Sequence, residues 1–236
     1  MKVWEDQGIS VPHIIETGKL NDLSYILMDH VDSGTLREKY SYEQMTEKES
    51  FVEMGQILRT MHIPEAEGYG HVINGAPEYK NFQEWLTHGI NAKKIKHVQE
   101  NGLLGIEHGS LPVALEALMA HAGKSTKSSY CHNDYAAYNI FNTNPLTIFD
   151  PDPSLNDGYI DLGRSIVIAI AHGKLPETRE QLIKGYFGNT TFDKKALQAS
   201  VLLNSYAKIS HWHKKKRVKN IQNTQEHLIQ TRHLLQ

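Results

Sequence analysis

The chain has 236 residues, 39% of them apolar and 22% charged, with a formal net charge of −2. That is the composition of a globular protein of one large or two small domains, and it excludes a global attraction to nucleic acid or to anionic membranes. No apolar run approaches the ~20 residues of a membrane helix, and the opening MKVWEDQG carries acids where a signal peptide is apolar, so a cytoplasmic location is expected.

Val11 to Thr17 is an apolar run with Pro12 near its start. Gly18-Lys19-Leu20-Asn21-Asp22 supplies turn chemistry and Tyr25-Ile26-Leu27-Met28 is a second run, so the first forty residues read as strand, turn, strand. Asp32-Ser33-Gly34 breaks this pattern, and the periodicity beyond it is helical. Thr46 and Glu49 have the spacing of a capping box, followed by one apolar stripe of Phe51, Met54, Ile57, Leu58 and Met61. A second helix is predicted from Phe82 to His97, anchored by Trp85 and Ile90. A third starts after Ser110, with Pro112 in its first turn and Val113, Leu115, Leu118 and Met119 inward.

Residues 128 to 150 break into short strands and turns. Beyond them, Ile160 to Ala171 is apolar enough for a buried helix. Leu182, Ile183 and Tyr186 mark another, closed by Gly188. Two more helices fill 192 to 235, with Ile221, Leu228 and Leu235 at heptad spacing. A small strand pair thus precedes a mostly helical body, an α+β chain. Cys131, the sole cysteine, allows no intramolecular disulfide and reads as a buried, inert thiol. His211 and His213 stand two apart on a helix, point to different faces and read as solvated.

The stretch most loaded with chemistry is His132-Asn133-Asp134-Tyr135-Ala136-Ala137-Tyr138-Asn139, with Asp150 ending the run Leu146-Thr147-Ile148-Phe149. An Asp and an Asn at this spacing, then a second Asp beyond a short hairpin, suit phosphoryl transfer. One carboxylate can receive a proton from an attacking hydroxyl, and an amide oxygen and a second carboxylate are hard ligands for a hard cation.

With Asp161-Leu162-Gly163 after it, this constellation resembles the core of the aminoglycoside phosphotransferase family, a group of protein-kinase-like small-molecule kinases that also takes in choline, fructosamine and homoserine kinases. Flanking segments resemble the family in its own order: Tyr25-Ile26-Leu27-Met28-Asp29-His30-Val31 is similar to the hinge strand, Gly34-Thr35-Leu36 to the start of the C-terminal lobe, and Leu58-Arg59-Thr60-Met61-His62 with Gly68-Tyr69-Gly70 to the long helix and the segment after it. The resemblance runs from about residue 8 to 175 and implies a protein-kinase-like fold. Residues 1–31 would be a remnant of the N-terminal lobe and hinge, and 32–236 a helical C-terminal lobe with the catalytic hairpin at 128–150. It further implies Asp134 as catalytic base, His132 as the residue bracing its loop, Asn139 and Asp150 as Mg²⁺ ligands, Asp161 as a structural acceptor, and Asp29, His30 and Val31 as the edge that meets the adenine of ATP. Asn133 stands where glycine is commoner in the family. Asp152 is either an extra carboxylate near the metal or part of a rigid turn set by Pro151 and Pro153.

No Gly-x-Gly-x-x-Gly or Gly-x-x-x-x-Gly-Lys occurs, and Met1 to Gly8 resembles the tail of the helix that precedes the hinge in the family. Most of the N-terminal lobe is therefore expected to be absent, with weak ATP binding and weak or no transfer by this chain alone. Three readings stay open: a degenerate or regulatory binding protein, a piece of an active kinase, and an enzyme completed by a partner chain. Strands without sheet neighbours invite pairing, so a homodimer through the N-terminal strands is expected. The acceptor is a small molecule with a hydroxyl. The family's acidic clefts for cationic acceptors have Glu84, Glu100, Glu107 and Asp157 as candidates here, and these do not converge by sequence. The basic run from His211 to Lys219 reads as a solvated helix end, not a nucleic-acid patch.

Overall fold

The computed structural model of the chain describes residues 1–47, 49–90, 92–104, 110–173 and 176–235. It opens on a short helix, α1 (Lys2–Glu5), with Trp4 buried, and a hairpin of β1 (Ile14–Leu20) and β2 (Leu23–Met28). The turn is tighter than the sequence suggests. Asn21 and Asp22 both take positive φ, 49° and 64°, and form the two-residue loop that suits the twist of an antiparallel pair. Asn and Asp reach this region at little cost, so Gly18, Lys19 and Leu20 remain in the strand opposite Tyr25, Ser24 and Leu23.

The helical body begins with α2 (Leu36–Lys39), α3 (Tyr42–Glu47) and α4 (Ser50–Met61). The predicted capping box at Thr46 and Glu49 is not formed. Thr46 lies inside α3, and Glu49 enters α4 at φ 58° without a side-chain cap bond. The box forms at α2 instead: the Glu38 N–H donates to Thr35 Oγ1 at 3.3 Å, and the Thr35 N–H donates to Glu38 Oε2 at 2.7 Å. The predicted stripe of α4 is buried at Phe51, Met54, Leu58 and Met61, with Ile57 half-buried.

Three strands that sequence reading did not separate come next, β3 (Glu65–Glu67), β4 (Tyr69–Ile73) and β5 (Ala76–Tyr79). The single helix predicted over 82–97 is interrupted. α5 (Phe82–Glu84) runs into a π-helical turn, Trp85–Gly89, and α6 (Ala92–Glu100) follows. α7 (Ser110–Ala122) buries mainly Leu111, Ala114, Ala117 and Leu118, so small residues carry more of its inner face than predicted.

The chain continues through β6 (Lys127–Cys131), β7 (Ile140–Phe141), β8 (Thr147–Ile148) and β9 (Ser154–Asn156). The last four long helices are α8 (Gly158–Gly173), α9 (Pro176–Phe187), α10 (Lys194–Lys214) and α11 (Val218–Thr231). Strands β3, β6, β9, β4 and β5 form one sheet in that order, while β1–β2 and β7–β8 are separate pairs.

The core is a helix stack in which α4 packs on α9 and α8 on α10. Glycine sets the first of these distances: a Cβ on Gly55 would collide with the Leu182 carbonyl and lie 2.7 Å from the Tyr186 nitrogen. Ile221, Leu228 and Leu235 are buried as their spacing predicts. Among the described residues, no helix is long and apolar enough to cross a membrane.

Candidate active site

The loop from His132 to Asn139 leaves the end of β6 and returns through a 3₁₀ turn into β7. Its start is pinned from below by Asp161 on α8, which is wholly buried. Asp161 Oδ2 accepts the His132 N–H at 2.7 Å and Oδ1 accepts the Asn133 N–H at 2.9 Å, while His62 Nε2 lies 3.2 Å from Oδ2. Burial alone would raise this carboxyl, but the hydrogen bond and charge of His62, with those of His132, hold it below its ordinary value.

Asn133 sits at φ 58°, in the left-handed region, which explains why asparagine can stand where the family prefers glycine. Its Nδ2 donates to the Asp152 carbonyl and to Ser154 Oγ, both at 2.7 Å, and so ties the loop to the approach of β9. His132 is buried with its ring stacked on Trp4 at 5.8 Å and its Nε2 3.1 Å from the Phe149 carbonyl. The Asp134 N–H donates to His132 Nδ1 at 3.3 Å. Burial lowers its pKa, so the ring is neutral and acts as a brace between the loop and the hairpin.

Asp134 projects into a cleft. Tyr138 donates its O–H to both carboxylate oxygens at 3.2 Å, Asn139 Nδ2 lies 3.2 Å from Oδ2, and Lys208 Nζ on α10 lies 3.0 Å from Oδ1. Burial pushes the Asp134 carboxyl up, yet the Lys208 ammonium, Arg164 and the Tyr138 hydroxyl outweigh it and keep the group ionised. Asn139 Nδ2 also donates to the Asp134 carbonyl at 2.9 Å. The amide NH₂ is thereby committed, and its Oδ1 is the atom left for a cation. The Phe149 N–H donates to the Asn139 carbonyl at 3.1 Å, which brings the next residue, Asp150, beside the loop. Asp150 is exposed, at φ 53°, and lines the same cavity as Asp134. Two carboxylates and an amide oxygen are a donor set that suits Mg²⁺.

Asp29, His30 and Val31 stand away from that cavity, exposed or half-exposed after β2. The Asp29 N–H donates to the His13 carbonyl and the Val31 carbonyl accepts from Ser33. The 34–35 segment beyond them is tied to the β7–β8 hairpin, where the Asn142 N–H donates to the Gly34 carbonyl at 3.0 Å.

Lys208, Arg164, Tyr138 and Trp4 belong to this site and were not singled out by sequence reading. The basic run from His211 is also not wholly solvated: Trp212 is buried, and His211 and Arg217 line the cleft. Of the acidic candidates for a cationic acceptor, Glu84, Glu100 and Asp157 line no part of it, and Glu107 lies outside the described residues. Cys131 is buried, with its thiol pushed well up by burial. It lies with His62 and Asp161 within 4.8 Å, a grouping whose His and Asp are already bonded to each other and to the loop.

No protein-family model and no curated protein sequence matches the chain. Its fold is that of solved protein-kinase-like small-molecule kinases. A thermostable mutant of an aminoglycoside phosphotransferase, in ternary complex with AMP-PNP and hygromycin B, is 14% identical with a TM-score of 0.62, over 92% of this chain and 75% of that one. A putative fructosamine-3-kinase from Haemophilus somnus is 14% identical with a TM-score of 0.57, over 97% and 76%. A choline/ethanolamine kinase family protein from Mesorhizobium loti is 16% identical with a TM-score of 0.57, over 100% and 76%.

Proposed function

We propose that the chain is a cytosolic kinase-like phosphotransferase that passes the γ-phosphoryl group of ATP to a hydroxyl of a small molecule. The observation that supports this best is Asp134, ionised and half-buried in a cleft, hydrogen-bonded to Asn139 and sharing the cavity with Asp150. Asp134 accepts the hydroxyl proton as the acceptor oxygen forms its bond to phosphorus and the bond to the leaving ADP oxygen breaks. Asn139 Oδ1 and the Asp150 carboxylate would hold Mg²⁺, which supplies charge neutralisation on the phosphates. His132 and Asp161 position Asp134 by fixing the loop it stands on. Asp29, His30 and Val31 would offer backbone groups to the adenine, in keeping with relatives solved with AMP-PNP and ADP. Residues 1–31 act as the hinge-side element and 32–236 as the catalytic lobe. No glycine-rich phosphate loop is encoded in these residues. Loss of even one preorganised donor costs on the order of 10²–10³ in rate, so turnover by this chain alone is slow.

Calorimetry of Mg²⁺–AMP-PNP on the wild type and on Asp150→Asn tests the reading. Binding that needs Mg²⁺ and loses at least tenfold in the variant supports it. Equal binding with and without Mg²⁺, or an unaffected variant, contradicts it.

A further inference from the structure

Two cavities, of about 640 and 290 Å³, share Lys94, Asp152 and Arg164 and form one cleft alongside Asp134. Neither takes a wall from residues 1–35, the side on which the hinge segment lies. Among the described residues, four basic side chains line the cleft: Lys94 from α6, Arg164 from α8, Lys208 from α10, and Arg217 from the turn after it. The carboxylates there are Asp134, Asp150 and Asp152. Lys208 pairs with Asp134, on which Arg164 also acts, so the lining holds four basic side chains against three carboxylates.

This crowding of like charge acts on the bases themselves. Burial first, and neighbouring cations second, lower the pKa of Lys94, Lys208 and His211, with Arg164 acting on both lysines. Arg164 also keeps a buried Nε with no hydrogen-bond partner, an orphaned charged donor at the junction of the two cavities. The protein as a whole is slightly acidic, so this positive field is a local property.

We infer that the acceptor in this cleft is an anion, a hydroxylated small molecule bearing a carboxylate or a phosphate ester, held by Arg164, Lys94 and Arg217 with its hydroxyl at Asp134. This rests on the phosphotransfer reading for the acceptor's role, and on the cleft's own charge for its class. An amino sugar or amino alcohol would meet four basic side chains against three carboxylates, two of which, Asp134 and Asp150, the phosphotransfer reading already uses, and is disfavoured on the same ground. The apolar side of the smaller cavity, Trp85, Ile90 and Ile95, gives room for the acceptor's carbon body.

Calorimetry on the nucleotide-free chain tests the class with D-ribose 5-phosphate and D-gluconate as anionic probes against D-ribose, choline and kanamycin. At least one anion is expected to bind, ten or more times tighter than D-ribose, with affinity falling as NaCl rises. Comparing the two anions separates phosphate from carboxylate recognition. Arg164→Gln should weaken the bound anion at least tenfold. Arg217→Gln, on an exposed turn that tolerates change, should weaken it several-fold. Saturating Mg²⁺–AMP-PNP should leave anion binding in place. Displacement by it would show that the cations serve the nucleotide's own phosphates, and would overturn the inference. So would binding of choline or kanamycin in preference to both anions, or silence of both arginine variants. Anion binding with no ADP release on adding Mg²⁺–ATP would refute phosphotransfer and leave anion recognition standing. ADP release driven by kanamycin or choline alone would do the reverse.

Discussion

Substitution of Asp161 by Asn replaces one of two carboxylate oxygens by an amide nitrogen at a site with no exposed surface. The native carboxylate takes the His132 N–H at 2.7 Å, the Asn133 N–H at 2.9 Å and His62 Nε2 at 3.2 Å, and it has no exposed surface. An asparagine has one acceptor oxygen, so whichever way the amide turns, at least one backbone N–H faces an NH₂. A charge-assisted hydrogen bond is worth about 1.5–3 kcal/mol and a buried donor left unsatisfied about 1–3 kcal/mol, which sums to about 2.5–6 kcal/mol. With a urea slope near the upper end of ~1–3 kcal/mol/M, the midpoint should fall by roughly 1–2 M at unchanged slope. Phosphotransfer should fall further than stability explains, measured well below the new midpoint, because the loop that carries Asp134 loses its anchor. A midpoint shift under about 0.3 M would refute the claim that Asp161 holds this loop.

Acid should destabilise the protein through His227, which burial first and Arg179 second push down to about 4 and whose Nε2 has no hydrogen-bond partner. The unfolded chain takes up this proton near pH 6.5 and the folded one only near 4. Stability is therefore full above pH 6.5 and falls by about 3 kcal/mol as the pH drops towards 4, at ~1.36 kcal/mol per pH unit. Urea titrations at stepped pH should show this slope in the wild type and lose it in His227→Gln. The β1–β2 hairpin leaves Leu20, Leu23 and Ile26 at 68%, 74% and 59% exposure. We expect a second copy to cover it. Light scattering should report a dimer that Leu23→Lys with Ile26→Lys converts to monomer, and a wild-type monomer at micromolar concentration would refute this.

Much of this fold was legible because its signals are local. Apolar spacing on α4, the largely apolar run of α8 and the spacing of Ile221 and Leu228 on α11 each report burial within one helix, and the glycine after α9 reports a helix end. The grouping of Asp134, Asn139 and Asp150 around one loop and hairpin was legible for the same reason: they lie within seventeen residues of one another. The site's electrostatics were not. Lys208 reaches Asp134 across 74 positions and Arg164 approaches from another helix, so no window of sequence joins them. His132 gave no sign of Trp4, its stacking partner near the start of the chain. The capping box was misplaced because Thr46–Glu49 and Thr35–Glu38 have the same spacing, and only the end of α3 decides between them. The short strands β3 to β5 carry too few residues for a period of two to show. The basic run is solvated as read, with Trp212 alone buried, but its part in the cleft wall was not legible because helix-end charge and a cleft wall have the same composition.

Transfer of radiolabel from [γ-³²P]ATP to an acceptor, compared between the wild type and Asp134→Asn, tests the central claim most directly. A positioned base contributes on the order of 10²–10⁴ in rate, so label should reach the acceptor slowly in the wild type, only with Mg²⁺, and at least ~10² more slowly in the variant. Asp134→Asn transferring label at the wild-type rate, or a wild type that transfers none to anionic, neutral or cationic acceptors, would contradict it.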